Sequence, residues 1–295
     1  MTGLSPAKMP RLRADMIAAT RRGAAIAATE NEGMDLAGEI RLLQAAELYW
    51  VTREMTQVAV NASANLPDWT PAIAMPHRFG LLLWEGDTEV VLPWNTAPDR
   101  GHVTNALGMK VPPQVPVRGV TWGPTPEGMT AWALGHIADM GDLLTDTWRS
   151  APLFPFAGVR LGTDKVTRED MRGTGVDLVA VLGATWLLMM QPGIATTTPL
   201  HVDRSEGGGK RPPRPDRTVS IISLRRERQL DRSPDEPGPG DGRVYRHRWL
   251  VRSHWRQQAV GPGRSQHRPV FIMDHIKGPE GAPMLDIDHV NVWRR

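Results

Sequence analysis

Residues Asp177 to Gln191 read as a helix without a polar face, because Leu178, Val181, Leu182, Trp186, Leu187, Leu188, Met189 and Met190 spread around every side of the wheel. Such a helix is stable only when other elements cover it, so the fold must supply layers on more than one side. The apolar run from Leu178 to Met190 is shorter than the roughly 20 residues that span a bilayer, which makes the expected cover protein and not lipid. Its methionines belong to the core more readily than to a ligand site.

Upstream, residues 13 to 28 are alanine-rich and helical in character, and a second helix starts at Asp35 with Leu36, Ile40, Leu43 and Ala46 on one face. Tyr49-Trp50-Val51 favours a strand. Thr52 then caps a third helix, carrying Met55, Val58 and Ala62 inward until Asn65-Leu66-Pro67 stops it. From Pro67 the prolines and glycines recur between short apolar runs. Phe79–Trp84 and Glu89–Trp94 flank Gly86-Asp87 as a first expected hairpin, and Gly119–Trp122 with Met129–Gly135 forms a second. Asp139 to Trp148 reads as a short acidic helix whose Asp139 and Asp142 share a solvated face.

The expected fold class is therefore α+β: N-terminal helices, a small antiparallel sheet of two hairpins, a buried apolar helix and a basic C-terminal antiparallel β module. Residues 1–66 form the helical segment and join 67–195 in one domain. Residues 196–242 are a linker rich in Pro, Gly and Arg around one strand, Thr218–Leu224, and residues 243–295 are the basic module.

Charge supports that division. Residues 201–295 carry 19 Lys and Arg against 12 Asp and Glu, whereas residues 1–200 carry 16 against 20. Six of the nine histidines also fall in the C-terminal part. A polyanion partner is expected there and not over the whole surface. The chain has no cysteine, which excludes disulfides, thiolate metal sites and a cysteine nucleophile. Lys8, Arg11 and Arg13 precede no apolar signal core, so the expected compartment is the cytoplasm, with no membrane partner.

The basic module centres on Arg246 to Gln257. Read as one strand, it puts Arg246, Arg248, Leu250, Arg252, His254 and Arg256 on one face and His247, Trp249, Val251, Ser253, Trp255 and Gln257 on the other. Arginine forks suit phosphate, and aromatic rings stack on bases. A turn studded with Arg264, His267 and Arg268 follows, then a strand from Pro269 to Met273, Lys277 in the last loop, and Val290–Trp293 as a third strand. Thr218–Leu224 would add a fourth.

Two other motifs fall short. Glu206-Gly207-Gly208-Gly209-Lys210 lacks the spacing of a phosphate-binding loop, and Arg211-Pro212-Pro213 cannot open the required helix. Met273-Asp274-His275 and Asp286–Asn291 match only half of a His-Asn-His nuclease finger. No metal and no cofactor are expected.

The run Tyr245–Gln257, with His267-Arg268-Pro269 and Lys277–Pro283, resembles the C-terminal module of proteins carried by actinobacterial phages and integrated mobile elements; Thr185–Pro192 and Tyr49-Trp50 share the likeness more weakly. Ser253 stands where that family usually has glycine, and Asp274 where proline or asparagine is usual. The resemblance implies a genomic setting, in which nucleic acid or host machinery is the target.

The expected function is a mobile-element effector that binds nucleic acid, RNA ahead of DNA, through Arg246, Arg248, Arg252, Arg256, Arg264, Arg268 and Lys277. Metal-independent cleavage of RNA would use His254 as the proton-transfer group, Arg252 and Arg256 as phosphate stabilisers and His267 as a second acid. Same-face neighbours on a strand stand about 6.5 to 7 Å apart, so those side chains must converge to share one phosphate. The alternatives are a non-enzymatic regulator and an inhibitor that binds a host protein.

Overall fold

The computed structural model describes residues 4–30, 36–94, 103–104, 110–111, 113–125, 128–139, 151–162, 165–169, 171, 176–202, 217–225 and 245–284. The chain divides into two compact units, Met1–Arg225 and Arg226–Arg295. Helices α1 (Met9–Glu30) and α2 (Leu36–Ala45) lead to strand β1 (Glu47–Val51), then α3 (Arg53–Ser63), the single turn α4 (Pro71–Ala74) and β2 (Gly80–Trp84). Short strands β3 (Val91–Pro93), β4 (Val103–Thr104), β5 (Lys110–Val111) and β6 (Gln114–Pro116) precede β7 (Gly119–Thr125), β8 (Gly128–His136) and β9 (Leu153–Leu161). Helix α5 (Val176–Met189), β10 (Ala195–His201) and β11 (Thr218–Leu224) complete the first unit.

The α+β expectation holds, but its sheet is larger than two hairpins. Seven strands join in the order β10-β11-β1-β2-β7-β8-β9. The three central strands β11, β1 and β2 run parallel, and the remainder pair antiparallel. Leu48 to Val51 and Leu81 to Trp84 are buried at every position, the pattern of strands covered on both faces.

Of the two expected hairpins, only β7 with β8 forms. Phe79–Trp84 and Glu89–Trp94 do not pair: β2 gives its second edge to β7, and β3 forms a separate ribbon with β6. The intervening loop turns the chain away. Gly86 and Glu89 both take positive φ, the Asp87 carboxylate accepts from the Glu89 N–H, and the buried Thr88 hydroxyl donates to the Val117 carbonyl. Thr218–Leu224 is likewise no part of the C-terminal module, since β11 lies between β10 and β1. Thr52 precedes α3 as expected, yet its hydroxyl makes no capping bond. Asp142, the Glu206–Lys210 loop and Asp286–Asn291 lie outside the described residues.

One face of the sheet is covered by α1 and α2, whose Met9, Leu12, Met16 and Leu43 pack on Leu48, Trp50, Leu81, Leu83, Leu134 and Val219. On the other face α3 and α5 pack together, and α5 is buried at every residue from Ala180 to Leu188. Aromatic rings join this helix to the strands. Trp186 meets Trp122 edge-on at 5.0 Å and Trp69 at 6.0 Å, while Tyr49 stacks on Trp122 at 5.8 Å. Trp84 Nε1 donates to Thr185 Oγ1 over 3.1 Å, and that hydroxyl donates to the Val181 carbonyl. Trp69 and Trp186 bury their own indole N–H groups without a partner among the described residues. That costs about 1–3 kcal/mol each, less than the roughly 4–6 kcal/mol that burying a whole indole contributes.

Two expectations follow. A Cβ on Gly80 would lie 2.0 Å from the Trp122 ring, so Gly80→Ala should lower the denaturant midpoint by an amount equivalent to about 3 kcal/mol, measured by equilibrium unfolding. Burial, reinforced by the Glu47 carboxylate, pushes the Tyr49 phenol up to about 12. The folded state then favours the neutral phenol. Its contribution is complete below the unfolded value of about 10 and is lost as pH rises through 12. The chain has two tyrosines, so phenolate absorbance of Tyr245→Phe should rise only near the upper value, and Tyr49→Phe should flatten the alkaline loss of stability.

Candidate nucleic-acid interface

In the second unit, strands β12 (Trp249–Val251), β13 (His254–Val260), β14 (Gln266–Ile272) and β15 (His275–Lys277) form two antiparallel pairs, β12 with β15 and β13 with β14. Val251 pairs with His275, and His254 pairs with Ile272. Both ladders therefore keep one register. They are the two ends of a single hairpin, interrupted where Arg252 and Ser253 stand across from Asp274 and Met273.

The interruption corrects the reading of Arg246–Gln257 as one continuous strand, and its cause is local. His254 Nδ1 lies 2.9 Å from the Arg252 carbonyl oxygen, and His275 Nδ1 lies 2.9 Å from that of Met273. A carbonyl only accepts, so each imidazole donates from Nδ1 to the residue two back and competes there with the ladder. Among the described residues, Nε2 of His254 has no hydrogen-bond partner. Val290–Trp293, the third expected strand, lies outside the described residues.

Each end of the hairpin is held. At the tip, Arg264 N–H donates to Gly261 and Ser265 Oγ to Pro262, with Gly263 and Arg264 both at positive φ, so the Arg264 side chain is presented outward. At the open end, Arg248 donates its N–H to Pro283 and its Nε to Ala282, at 2.8 and 2.7 Å. Gly278, at φ +117°, fits against this backbone because a Cβ would come within 2.4 Å of the His247 carbonyl. Arg248 is thus half-buried and clamps the returning chain, a structural task that the sequence alone did not separate from phosphate contact.

The two faces differ. On one, Trp255 meets Phe271 across the strands at 5.1 Å, and Phe271 is buried. The opposite face carries His254 and Arg256, with Arg268 across from Gln258 and, by register, Arg252 across from Asp274. Arg256 Nη2 donates to the Gln258 side chain, which holds that guanidinium along the face. Arg246, Arg252, His254, Arg256, Arg264, His267, Arg268 and Lys277 are all exposed. Residues 245–284 contain seven Lys and Arg against Asp274 and Glu280 alone, and among the described residues none of these cations is in an ion pair.

The register separates two histidines that cleavage would need together. His267 pairs with Ala259, five positions along the strand from Ile272, the partner of His254. That is about 17 Å, and the odd offset turns His267 to the Trp255 face. Arg268 joins the basic face instead. Paired residues stand equidistant from Gly263; a fold about Pro262-Gly263 would slip the register by one and turn His267 to the basic face, so the geometry of the turn decides both relations. Leu250 lies on the cation face as the alternation predicts, and it is 55% exposed; Ile276 across from it (55%) and Tyr245 (50%) are exposed apolar side chains to which the sequence reading gave no role.

In the first unit, Asp139 accepts a bidentate pair from Arg118, Nε to Oδ2 at 2.8 Å and Nη2 to Oδ1 at 3.0 Å. This contact holds the Arg118 guanidinium above its ordinary range. Burial pushes the neighbouring His136 imidazole down. Among the described residues no three His, Asp or Glu side chains group as a metal site. No helix there is long and apolar enough to cross a membrane. No protein-family model matches the chain, and no curated protein matches it.

The clamp and the basic face are separable by mutation. Arg248→Ala should cost about 1.5–3 kcal/mol of unit stability and speed amide exchange at Ala282, whose N–H donates to the Pro279 carbonyl. Arg252→Ala should change stability by less than about 0.5 kcal/mol.

Proposed function

We propose that the hairpin of residues 245–284 binds single-stranded nucleic acid, RNA ahead of DNA, as the contact module of a mobile-element effector acting in the cytoplasm. The observation that carries this reading is the single register, by which Arg252, His254, Arg256 and Arg268 share one exposed face with Asp274 as its one carboxylate. Such a face repels itself unless an anion meets it. Arg264 at the tip and Arg246 near the open end extend the positive surface along the hairpin, and Lys277, paired with Trp249, puts a cation on the opposite face. His254 is exposed, its Nδ1 engaged by the Arg252 carbonyl, and it stands between Arg252 and Arg256 along the chain; its Nε2 suits a 2′-hydroxyl beside a bound phosphate, which favours RNA.

Binding is better supported than cleavage. His254 with Arg252 and Arg256 offers a proton-transfer group flanked by cations, but His267 stands on the other face and supplies no second acid there. A second reading, an acidic surface of a host protein as the partner, draws on Leu250 and Ile276, paired across the strands and both exposed beside the cations.

Purified protein, titrated with RNA, single-stranded DNA and duplex DNA at two salt concentrations with and without EDTA, separates these readings. Affinity for RNA should fall as salt rises, and Arg252→Gln should reduce the log–log slope by about 0.7. Salt-independent binding, or none, sinks the proposal. Any cleavage should persist in EDTA and vanish in His254→Ala; cleavage that survives the substitution removes His254 from the chemistry.

A further inference from the structure

The face of the hairpin opposite the arginines is not all core. Tyr245 is half-exposed and leans on Trp249, ring centroids 5.0 Å apart and planes inclined by 47°. Trp249 is itself only partly buried and pairs directly with Lys277, whose ammonium is exposed. Directly opposed residues have Cβ atoms about 5 Å apart on the same side of a ladder. Two aromatic rings and a cation therefore sit together at the open end, with Arg246 and His247 exposed beside them.

Phe271 and Trp255 already close the packed part of that face, and half of the Tyr245 surface meets solvent. A ring held at a fixed tilt by a second ring, flanked by an ammonium and a guanidinium, matches the chemistry of an unpaired nucleobase with its phosphate: the base lies on the aromatic face, and the backbone charge meets the cations. A base inside a duplex cannot offer that face.

We infer that Tyr245, supported by Trp249 and accompanied by Lys277, is a stacking site for one unpaired base, so that the module selects single strands over duplex. The inference rests on the nucleic-acid reading above and adds to it a site for the base, where the arginine face addresses only the backbone.

Full-length protein is titrated with a labelled single-stranded RNA, with the same strand carrying abasic residues, and with duplex. Tyr245→Leu should weaken binding of the intact strand about tenfold while the salt slope stays unchanged, and Tyr245→Phe should bind as the unmodified protein does. The abasic strand should bind the unmodified protein as weakly as the intact strand binds Tyr245→Leu, and the substitution should not weaken it further. Equal losses on intact and abasic strands, or no loss on either while salt-dependent binding persists, overturn the stacking site and leave the arginine face standing. Absence of any salt-dependent binding by the unmodified protein overturns the nucleic-acid reading and this inference with it.

Discussion

The first unit depends on the meeting of Trp186 on α5 with Trp122 on β7. A helix apolar on all sides has to be enclosed, and here one side is enclosed by an aromatic column, Trp69, Trp186, Trp122 and Tyr49, that crosses from helix to sheet. The column dictates what lies around it. Gly80 must lack a side chain where the Trp122 ring passes over β2, and Gly183 must lack one where Trp69 presses on α5. Thr185, the one hydroxyl in the middle of the helix, is tied both to Trp84 and to its own backbone, so its polarity is satisfied inside the core. The two indole N–H groups that have no partner among the described residues are tolerated because ring burial outweighs them.

The second unit follows a different economy. Among its described residues only Phe271 is buried among the hydrophobic side chains, and the hairpin is held by its turn, its register and the Arg248 clamp. A two-stranded ribbon has two faces and little interior, so most of what it carries is surface. This makes its pairing register the main determinant of the surface chemistry. Arg268 reaches the basic face because it stands opposite Gln258, and His267, one residue earlier, cannot. The proposed binding function and the proposed base site occupy opposite faces of the same ribbon, one addressing phosphates and the other the rings between them.

Local signals carried much of the first unit. Helical spacing marked α2 and α3, the all-apolar run marked α5, and the turn between Gly119–Trp122 and Met129–Gly135 marked the β7–β8 hairpin. The error at Phe79–Trp94 arose because two strand-like runs around Gly86-Asp87 satisfy the hairpin pattern equally well whether or not they pair. What excludes pairing is β7, which occupies the edge of β2 from nearly forty residues away. Thr218–Leu224 was legible as a strand but not as a neighbour of β1, for the same reason: parallel pairing leaves no turn signal between its members.

By itself the sequence determined periodicity, charge and side-chain type: which segments are helical or extended, that α5 must be enclosed, that the cations gather in the C-terminal part, and that Arg246–Gln257 alternates cations with packing residues. These are properties of neighbours along the chain. Tertiary structure alone decided which edges meet, that Arg248 clamps a loop while Arg252 faces outward, that His254 and His267 lie on opposite faces, and that Tyr245 rests on Trp249 beside Lys277. Those relations depend on register and edge occupancy, which are settled by competition among segments far apart in sequence and leave no trace in local pattern.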